Sequence, residues 1–335
     1  MSSQTSLMAV GIDFDDPELE QAIRDGLHTI ELALRAAVQS EDEFVADVAR
    51  YLVDAGGKRF RPLLALLAAH FGDPEGDGVV MSAVVCELTH LATLYHDDVM
   101  DEATVRRGAT AANSRWTNTV AILTGDFLFA RASDILSDLG AEAVRIQARC
   151  FERLVTGQIR ETVGPRAGVD PVDHYLSVLA DKTGSLIATS AEFGARFAGV
   201  DPDTLDSLRA FGEQFGIAFQ ISDDILDIAS ETGQSGKTPG TDLREGVQTL
   251  PVLYALRSTE PADSRLRELV SKPLTDDAEH AEALALMRSS RAMEQARETM
   301  LSFADAARAT LVGLPDVPAR AALDALADLV VVRTG

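Results

Sequence analysis

The stretch from Val79 to Arg107 contains neither glycine nor proline, the residues that most readily end a helix. Its apolar residues recur at intervals of three and four, so it reads as one long helix. Inside it lies Asp97-Asp98-Val99-Met100-Asp101. Residues four apart share a helix face, so Asp97 and Asp101 point one way and Asp98 flanks them. Three carboxylates within about one turn repel each other and ask for a counter-charge. A hard divalent cation prefers oxygen ligands, and Mg²⁺ typically takes one or two protein carboxylates, leaving positions for phosphate oxygens. The stretch therefore points to a metal–diphosphate site. In a chain with 53 acidic residues a lone copy is weak, and its plain reading is a solvated helix face. The pattern recurs, however, at Asp223-Asp224-Ile225-Leu226-Asp227. This copy follows the apolar run Phe215 to Ser222, where an uncompensated acidic cluster would be costly.

Composition limits the alternatives. The chain has 335 residues, 46% hydrophobic, enough for a sizeable core. A net charge of −23 argues against a nucleic-acid partner, which needs a basic face. The start is acidic and lacks a basic segment followed by an apolar one, so no signal peptide is expected. No charge-free stretch of about 20 apolar residues stands out, so no membrane span is expected. Cys86 and Cys150 sit in helical apolar patterns and read as reduced core thiols of a cytoplasmic protein. Only four of the 30 basic residues are lysine: Lys58, Lys182, Lys237 and Lys272. Three of them lie in Gly- or Thr-containing stretches, Gly56-Gly57-Lys58-Arg59-Phe60-Arg61-Pro62, Asp181-Lys182-Thr183-Gly184 and Gly236-Lys237-Thr238-Pro239-Gly240. A compact ammonium with rotatable donors suits phosphate.

Apolar spacing of three and four persists throughout and no strand pattern is visible, so the chain reads as all-α. After a loose arm over residues 1–15, helices are expected near 16–38, 41–55, 62–70, 79–107, 115–139, 141–163, 172–180 and 203–229. Another runs past Lys182 to about 198. Asp126 reads as a capped core polar residue, and Gly157 as a close-packing position. Residues 230–246, polar and Gly-rich, read as a lid after the second cluster. Helices fill 247–332. No fixed-period repeat or linker-like boundary appears, so residues 1–335 are expected to form one domain.

Taken together and in order, both aspartate clusters, Gly-Gly-Lys-Arg-Phe-Arg-Pro and Arg106-Arg107-Gly108 make the chain resemble the all-trans isoprenyl (polyprenyl) diphosphate synthases. The motifs span roughly residues 50–255, and the wording is most similar to actinobacterial long-chain members linked to menaquinone synthesis. The resemblance implies a single large helical bundle with a central substrate cavity, usually homodimeric, using Mg²⁺, three per active site. It implies that Asp97, Asp101 and Asp223 are direct metal ligands, supported by Asp98, Asp224 and Asp227. Arg106, Lys182, Thr183, Gln220 and Lys237 match positions that contact the diphosphate of an allylic substrate. Lys58, Arg61, His90 and Arg107 match the pocket for isopentenyl diphosphate. His90, seven residues before Asp97, falls on the same helix face one level deeper. The implied reaction is loss of diphosphate to leave an allylic carbocation and attack by the double bond of isopentenyl diphosphate. A proton then passes to the released diphosphate, and the cycle repeats.

One departure stands out. Where the family often has Lys after Glu-Gly, this chain has Val247, and Arg244 is the candidate substitute. In the family, bulky residues four and five positions before the first Asp block the growing chain. Here they are Thr93 and Ala92, and the same face continues through Thr89 and Cys86, so a long product is expected. Nine isoprene units extend on the order of 40 Å, about 27 helical residues, which the run 79–107 would cover. Phe127 and Phe129 are candidates for the floor. The expected product is a C35–C50 polyprenyl diphosphate; a short-chain synthase or the catalytic subunit of a heteromer is the alternative. A terpene cyclase is disfavoured by the repeated Asp-rich pattern and by only 5% aromatic residues.

Overall fold

The structure is a computed structural model that describes residues 14–230 and 239–333. Part of the acidic surplus is spent on starting helices. Asp16 accepts from the Leu19 amide at 2.8 Å and Pro17 takes the first position of α1 (Pro17–Ala37). Asp42 caps α2 (Glu43–Asp54) through the Phe44 and Val45 amides. The apolar α3 (Phe60–Ala69) follows, almost wholly buried; its fully buried Leu63, Leu64 and Leu67 contribute on the order of 2 kcal/mol each.

Then comes α4 (Val79–Met100), the first aspartate helix. It is shorter than the glycine- and proline-free run suggested. Asp101 is its C-cap, and the Ala103 amide turns back onto the Asp98 carbonyl at 2.9 Å while Glu102 takes a left-handed φ of 49°. The chain leaves the helix there and forms a small antiparallel ladder, β1 (Val105–Arg106) with β2 (Ala109–Thr110). This ladder corrects the strandless reading.

The remaining helices are α5 (Ala112–Arg115), α6 (Asn118–Leu139), α7 (Ala141–Val163) and α8 (Pro171–Leu179). A π-helical turn, Ala180–Gly184, joins α8 to α9 (Ser185–Phe197) without a break. The long α10 (Pro202–Ala229) carries the second aspartate cluster. Beyond it lie α11 (Thr241–Glu245), α12 (Leu250–Arg257), α13 (Ser264–Val270), α14 (Asp277–Arg288), α15 (Arg291–Leu311) and α16 (Pro318–Val332). The chain is all-α apart from the two-residue strands.

The chain divides into two compact units, each assembled from three separated stretches. The first comprises residues 1–152, 186–212 and 311–325; the second comprises 153–185, 213–310 and 326–335. No linker marks this division because the chain leaves and re-enters each unit. In the first unit α4 packs along α6 and against α1 and α3. Gly125 lets α6 approach α4 closely: a Cβ there would lie 2.3 Å from His96 Nε2 and 3.0 Å from the Ala92 carbonyl. By length and composition α4 could cross a membrane, yet 67% of its most apolar window is buried, as in a core helix. In the second unit Phe215, Ile221, Ile225, Leu269 and Met287 form the core. There α12 packs on α8 and α13, and α13 on α14.

Candidate functional site

In the first unit the last turn of α4 sorts its three carboxylates. Asp98 is fully buried, Asp97 is half-buried and Asp101 is exposed. The Asp98 carboxylate accepts from Arg106 Nε at 2.6 Å and from the Ala112 amide at 3.3 Å. Arg106 comes from the ladder rather than from a helix end, and Arg107-Gly108 form its two-residue turn, with φ of 53° and 75°. Left-handed φ at both positions is what a tight hairpin turn requires. Arg107 Nη1 donates to the carbonyls of Gly56 and, at 3.1 Å, of Leu52. Its guanidinium lies so close to Gly57 that a Cβ there would be 2.9 Å from Cζ.

A basic cluster surrounds His90. Lys58 is exposed just before α3, Arg61 lies in the first turn of α3, and His90 sits on α4. Burial first, then the charges of Arg61, Arg107, Arg59 and Arg106, hold the His90 imidazole well below its usual range, so it is neutral. Arg61 Nε is buried without a hydrogen-bond partner. Four arginines and a buried unpaired donor suit an anion with several oxygens, such as a diphosphate. Sequence reasoning passed over Glu87. It is buried, bonds Arg59 at 3.0 Å, and acts as counter-ion within this cluster.

The residues expected to govern product length lie in the same unit. Cys86, Thr89 and Ala92 are buried and Thr93 is half-buried. Thr89 accepts a hydrogen bond from Gln147 Nε2 at 2.8 Å, a buried polar pair the sequence did not announce. Phe129 lies between His96 and Phe151, tilted against both rings, with centroids 5.8 and 4.4 Å away. Asp126 is corrected: its side chain is 60% exposed and pairs with His96 at 3.4 Å instead of capping a core helix. The helix itself is corrected in length, 22 residues rather than the whole run, which spans about 33 Å.

In the second unit the π turn carries Lys182 and Thr183. Its extra residue per turn breaks the helical phase, a feature common at functional sites. Arg153 fastens the turn through Asp181 at 2.9 Å, Glu213 at 2.6 Å and the Ala180 carbonyl at 3.1 Å. Gly157 lets the helices close, since a Cβ there would be 2.8 Å from the Lys182 amide. Lys182 Nζ pairs with Glu161 at 2.5 Å. A chain of hydrogen bonds then runs from Thr183 to Gln220 at 3.3 Å and from Gln220 to Asp224 at 3.1 Å. It ends where the Tyr175 hydroxyl donates to Asp224. Burial, chiefly, pushes the Asp224 carboxyl up to about 7.

Asp223 pairs with Arg333 at 2.7 Å, and that guanidinium also lies over the Phe219 ring. Asp227 accepts from the Thr241 and Asp242 amides at 3.3 and 3.1 Å, tying the start of α11 to α10. Tyr175 and Arg333 carry no local sequence signal. Arg244, the candidate substitute for the missing lysine, pairs with Asp277 at 2.7 Å, and Val247 is 44% exposed. Lys237 and about half of the expected lid, residues 231–238, lie outside the described residues.

The donor set fits Mg²⁺ as the metal. Among the described residues no three His, Cys, Asp or Glu side chains gather into a ready cage. Asp98 and Asp224 are buried among protein donors and Asp227 accepts from two backbone amides, whereas Asp97, Asp101 and Asp223 keep some exposure to solvent, Asp223 while paired with Arg333. Few protein carboxylates with room for water and phosphate oxygens is the arrangement Mg²⁺ tolerates best.

The polyprenyl synthetase family profile matches residues 42–287. The chain is 49% identical over 329 residues to a nonaprenyl diphosphate synthase of Mycobacterium tuberculosis, covering 98% of both chains. It is 38% identical over 308 residues to heptaprenyl diphosphate synthase component 2 of Geobacillus stearothermophilus, covering 91% of this chain and 95% of that one. A crystal structure of geranylgeranyl pyrophosphate synthase from Corynebacterium glutamicum, complexed with calcium and isoprenyl diphosphate, superposes with a TM-score of 0.88. It shares 48% identity, over 97% of this chain and 100% of that one.

Proposed function

Since the chain belongs to the polyprenyl synthetase family and is a prenyltransferase, we propose that it condenses isopentenyl diphosphate with an allylic diphosphate. Repeated additions then build an all-trans polyprenyl diphosphate of C35–C50. The observation that carries this reading is the cation cluster around neutral His90, with its buried unpaired Arg61 Nε. Lys58, Arg61, His90 and Arg107 hold the diphosphate of isopentenyl diphosphate. Arg106, Lys182, Thr183, Gln220 and Lys237 hold the allylic diphosphate. Asp97, Asp101 and Asp223 are the direct ligands of Mg²⁺, three ions per site, while Asp98, Asp224 and Asp227 hold the surrounding framework.

Bound Mg²⁺ supplies charge that stabilises the departing diphosphate. Arg106 and Lys182 add fixed positive charge where negative charge develops, and they orient the allylic carbon toward the second substrate. The double bond of isopentenyl diphosphate attacks the allylic cation, and the released diphosphate accepts the lost proton. No side chain needs to act as a covalent nucleophile. The two compact units serve as one catalytic domain.

Small residues at Thr89, Ala92 and Thr93 support a long product, suited to a menaquinone side chain. The 22-residue helix, about 33 Å, favours the shorter part of the range. The likeness to a geranylgeranyl pyrophosphate synthase favours a C20 product as the second reading. The likeness to a component 2 protein keeps the catalytic half of a heteromer as a third. Exposed Ile122 and Leu123 on α6 suit a homodimer contact. Cys86 and Cys150, both buried and unbridged, suit a reducing compartment such as the cytoplasm.

The test is incubation of purified protein with Mg²⁺, labelled isopentenyl diphosphate and farnesyl or geranylgeranyl diphosphate. Products are dephosphorylated and sized. A ladder ending at seven to ten units is the expected result. A stop at four units overturns the chain-length reading and keeps the chemistry. Absence of incorporation with every primer overturns the enzyme as a self-sufficient synthase.

A further inference from the structure

We propose that Arg59 is the positioning residue of the isopentenyl diphosphate pocket, acting by holding Glu87 away from Arg61. This rests on the reading of Lys58, Arg61, His90 and Arg107 given above. Arg59 lies between Lys58 and Arg61 in sequence but turns the other way: it is 6% exposed. Its backbone φ is 49°, at the first turn of α3, a conformation that non-glycine residues hold only when their surroundings impose it. The side chain supplies that imposition. Nε donates to Glu31 at 2.8 Å and Nη2 to the same carboxylate at 3.3 Å. Nη1 donates to Glu87 at 3.0 Å, and Nη2 to the Val53 carbonyl at 2.9 Å. One guanidinium thus ties α1, the end of α2, the start of α3 and α4 together.

Each isopentenyl-pocket group is referenced to this tie. Lys58 and Arg61 leave the same turn of chain. Glu87 stands three residues before His90, so it occupies the same side of α4 one turn away. Arg107 is fixed on the Gly56 carbonyl, which also faces Arg59 Nη1 at 3.4 Å. Glu87 is the critical partner. One of its oxygens bonds Arg59, the other is buried without a partner, and its charge acts on Arg61. Arg61 in turn has a buried Nε with no partner. A buried carboxylate released from Arg59 would take the nearest available guanidinium, because an unpaired buried charge is strongly disfavoured. Arg61 would then be neutralised by protein instead of by substrate. The groups proposed for the allylic diphosphate in the second unit hang on a separate network, Arg153 with Asp181 and Glu213.

The experiment is steady-state kinetics with both substrates varied, beside calorimetric titration of isopentenyl diphosphate into metal-free protein. Arg59→Gln is expected to raise KM for isopentenyl diphosphate about tenfold and to weaken its binding in parallel. KM for the allylic diphosphate should stay within about twofold. Adding Glu87→Gln to the same chain should recover most of the loss, because the competitor for Arg61 is then neutral. A merely structural role would raise both KM values together and would worsen in the double variant; either result overturns the proposal, as does a wild-type KM in Arg59→Gln. If Arg59→Gln does not fold, Glu31→Gln is read instead. A selective rise of about threefold supports the tie, and unchanged KM overturns it. Wild-type protein that neither binds nor consumes isopentenyl diphosphate would overturn the proposed function itself. Normal wild-type behaviour with an unaffected variant would overturn only the role of Arg59.

Discussion

The two aspartate clusters share one five-residue pattern, and their middle members solve the same problem differently. Asp98 and Asp224 both turn inward, 0% and 8% exposed. Asp98 meets a full positive charge, the Arg106 guanidinium at 2.6 Å, and gains a backbone amide from α5. Asp224 meets only neutral donors, Tyr175 and Gln220. Burial without a cation is why its carboxyl rises to about 7. The outer members differ too. Asp101 caps α4, whereas Asp227 reaches across to the backbone at the start of α11. Identical letters at identical spacing therefore do not specify identical charges; the neighbours do.

The sharpest way to break this comparison is to pit outward against inward positions. Asp97→Ala and Asp223→Ala should each cut kcat/KM by about 1,000-fold and raise the Mg²⁺ concentration needed for half activity. Should Asp98→Asn shift the Mg²⁺ requirement as much as Asp97→Ala does, the division into outward and inward roles fails. Asp98→Asn is instead expected to act through Arg106, left without its counter-charge. It should lose about 100-fold in kcat/KM and about 3 kcal/mol of unfolding free energy, read by urea titration.

The next effect is one of pH. With a folded pKa raised above the ordinary carboxylate value, Asp224 binds its proton more tightly in the native chain than in the unfolded one. Its contribution to stability is thus complete below about pH 4 and is lost as pH rises to about 7. In metal-free buffer the stability of Asp224→Asn relative to wild type should therefore improve from pH 4 to pH 8. Parallel stability curves would show that Asp224 is not the buried acid described here. The smallest expected change is Tyr175→Phe. It removes one hydrogen bond to that carboxylate, costs about 1 kcal/mol, and moves the pH-dependent loss further toward alkaline pH.

Much of this was legible beforehand, for physical reasons. Helix α7 coincides with the expected 141–163 because its apolar spacing is regular and both ends are marked. Asp97, Asp223, Lys58 and Lys182 stood out because charge and glycine placement are local signals. What escaped was short or non-local. A two-residue ladder is too brief to show alternation, so Arg106 and Arg107 read as a helix end. A glycine- and proline-free run sets only an upper bound on helix length, and the turn from Ala103 to Asp98 cut α4 short. Tyr175, Arg333, Glu87 and Gln147 meet their partners only after folding, and nothing in their flanking residues announces those contacts. The burial of Arg59 between two carboxylates is of the same kind, since nothing in Gly57-Lys58-Arg59-Phe60-Arg61 sets this one cation apart from the other two.

The alternation of the chain between its two units bears on how the protein is made. The first unit needs residues 311–325 and the second needs 326–335, so neither is complete until the ribosome has passed well beyond residue 310. The N-terminal 152 residues, with the first aspartate helix and the whole cation cluster, emerge long before the partners that finish their unit. During that interval apolar faces such as those of α3 and α4 stand uncovered, a state in which nascent chains depend on chaperones. A stop codon near residue 310 would therefore leave every proposed catalytic group in the translated chain and both units incomplete.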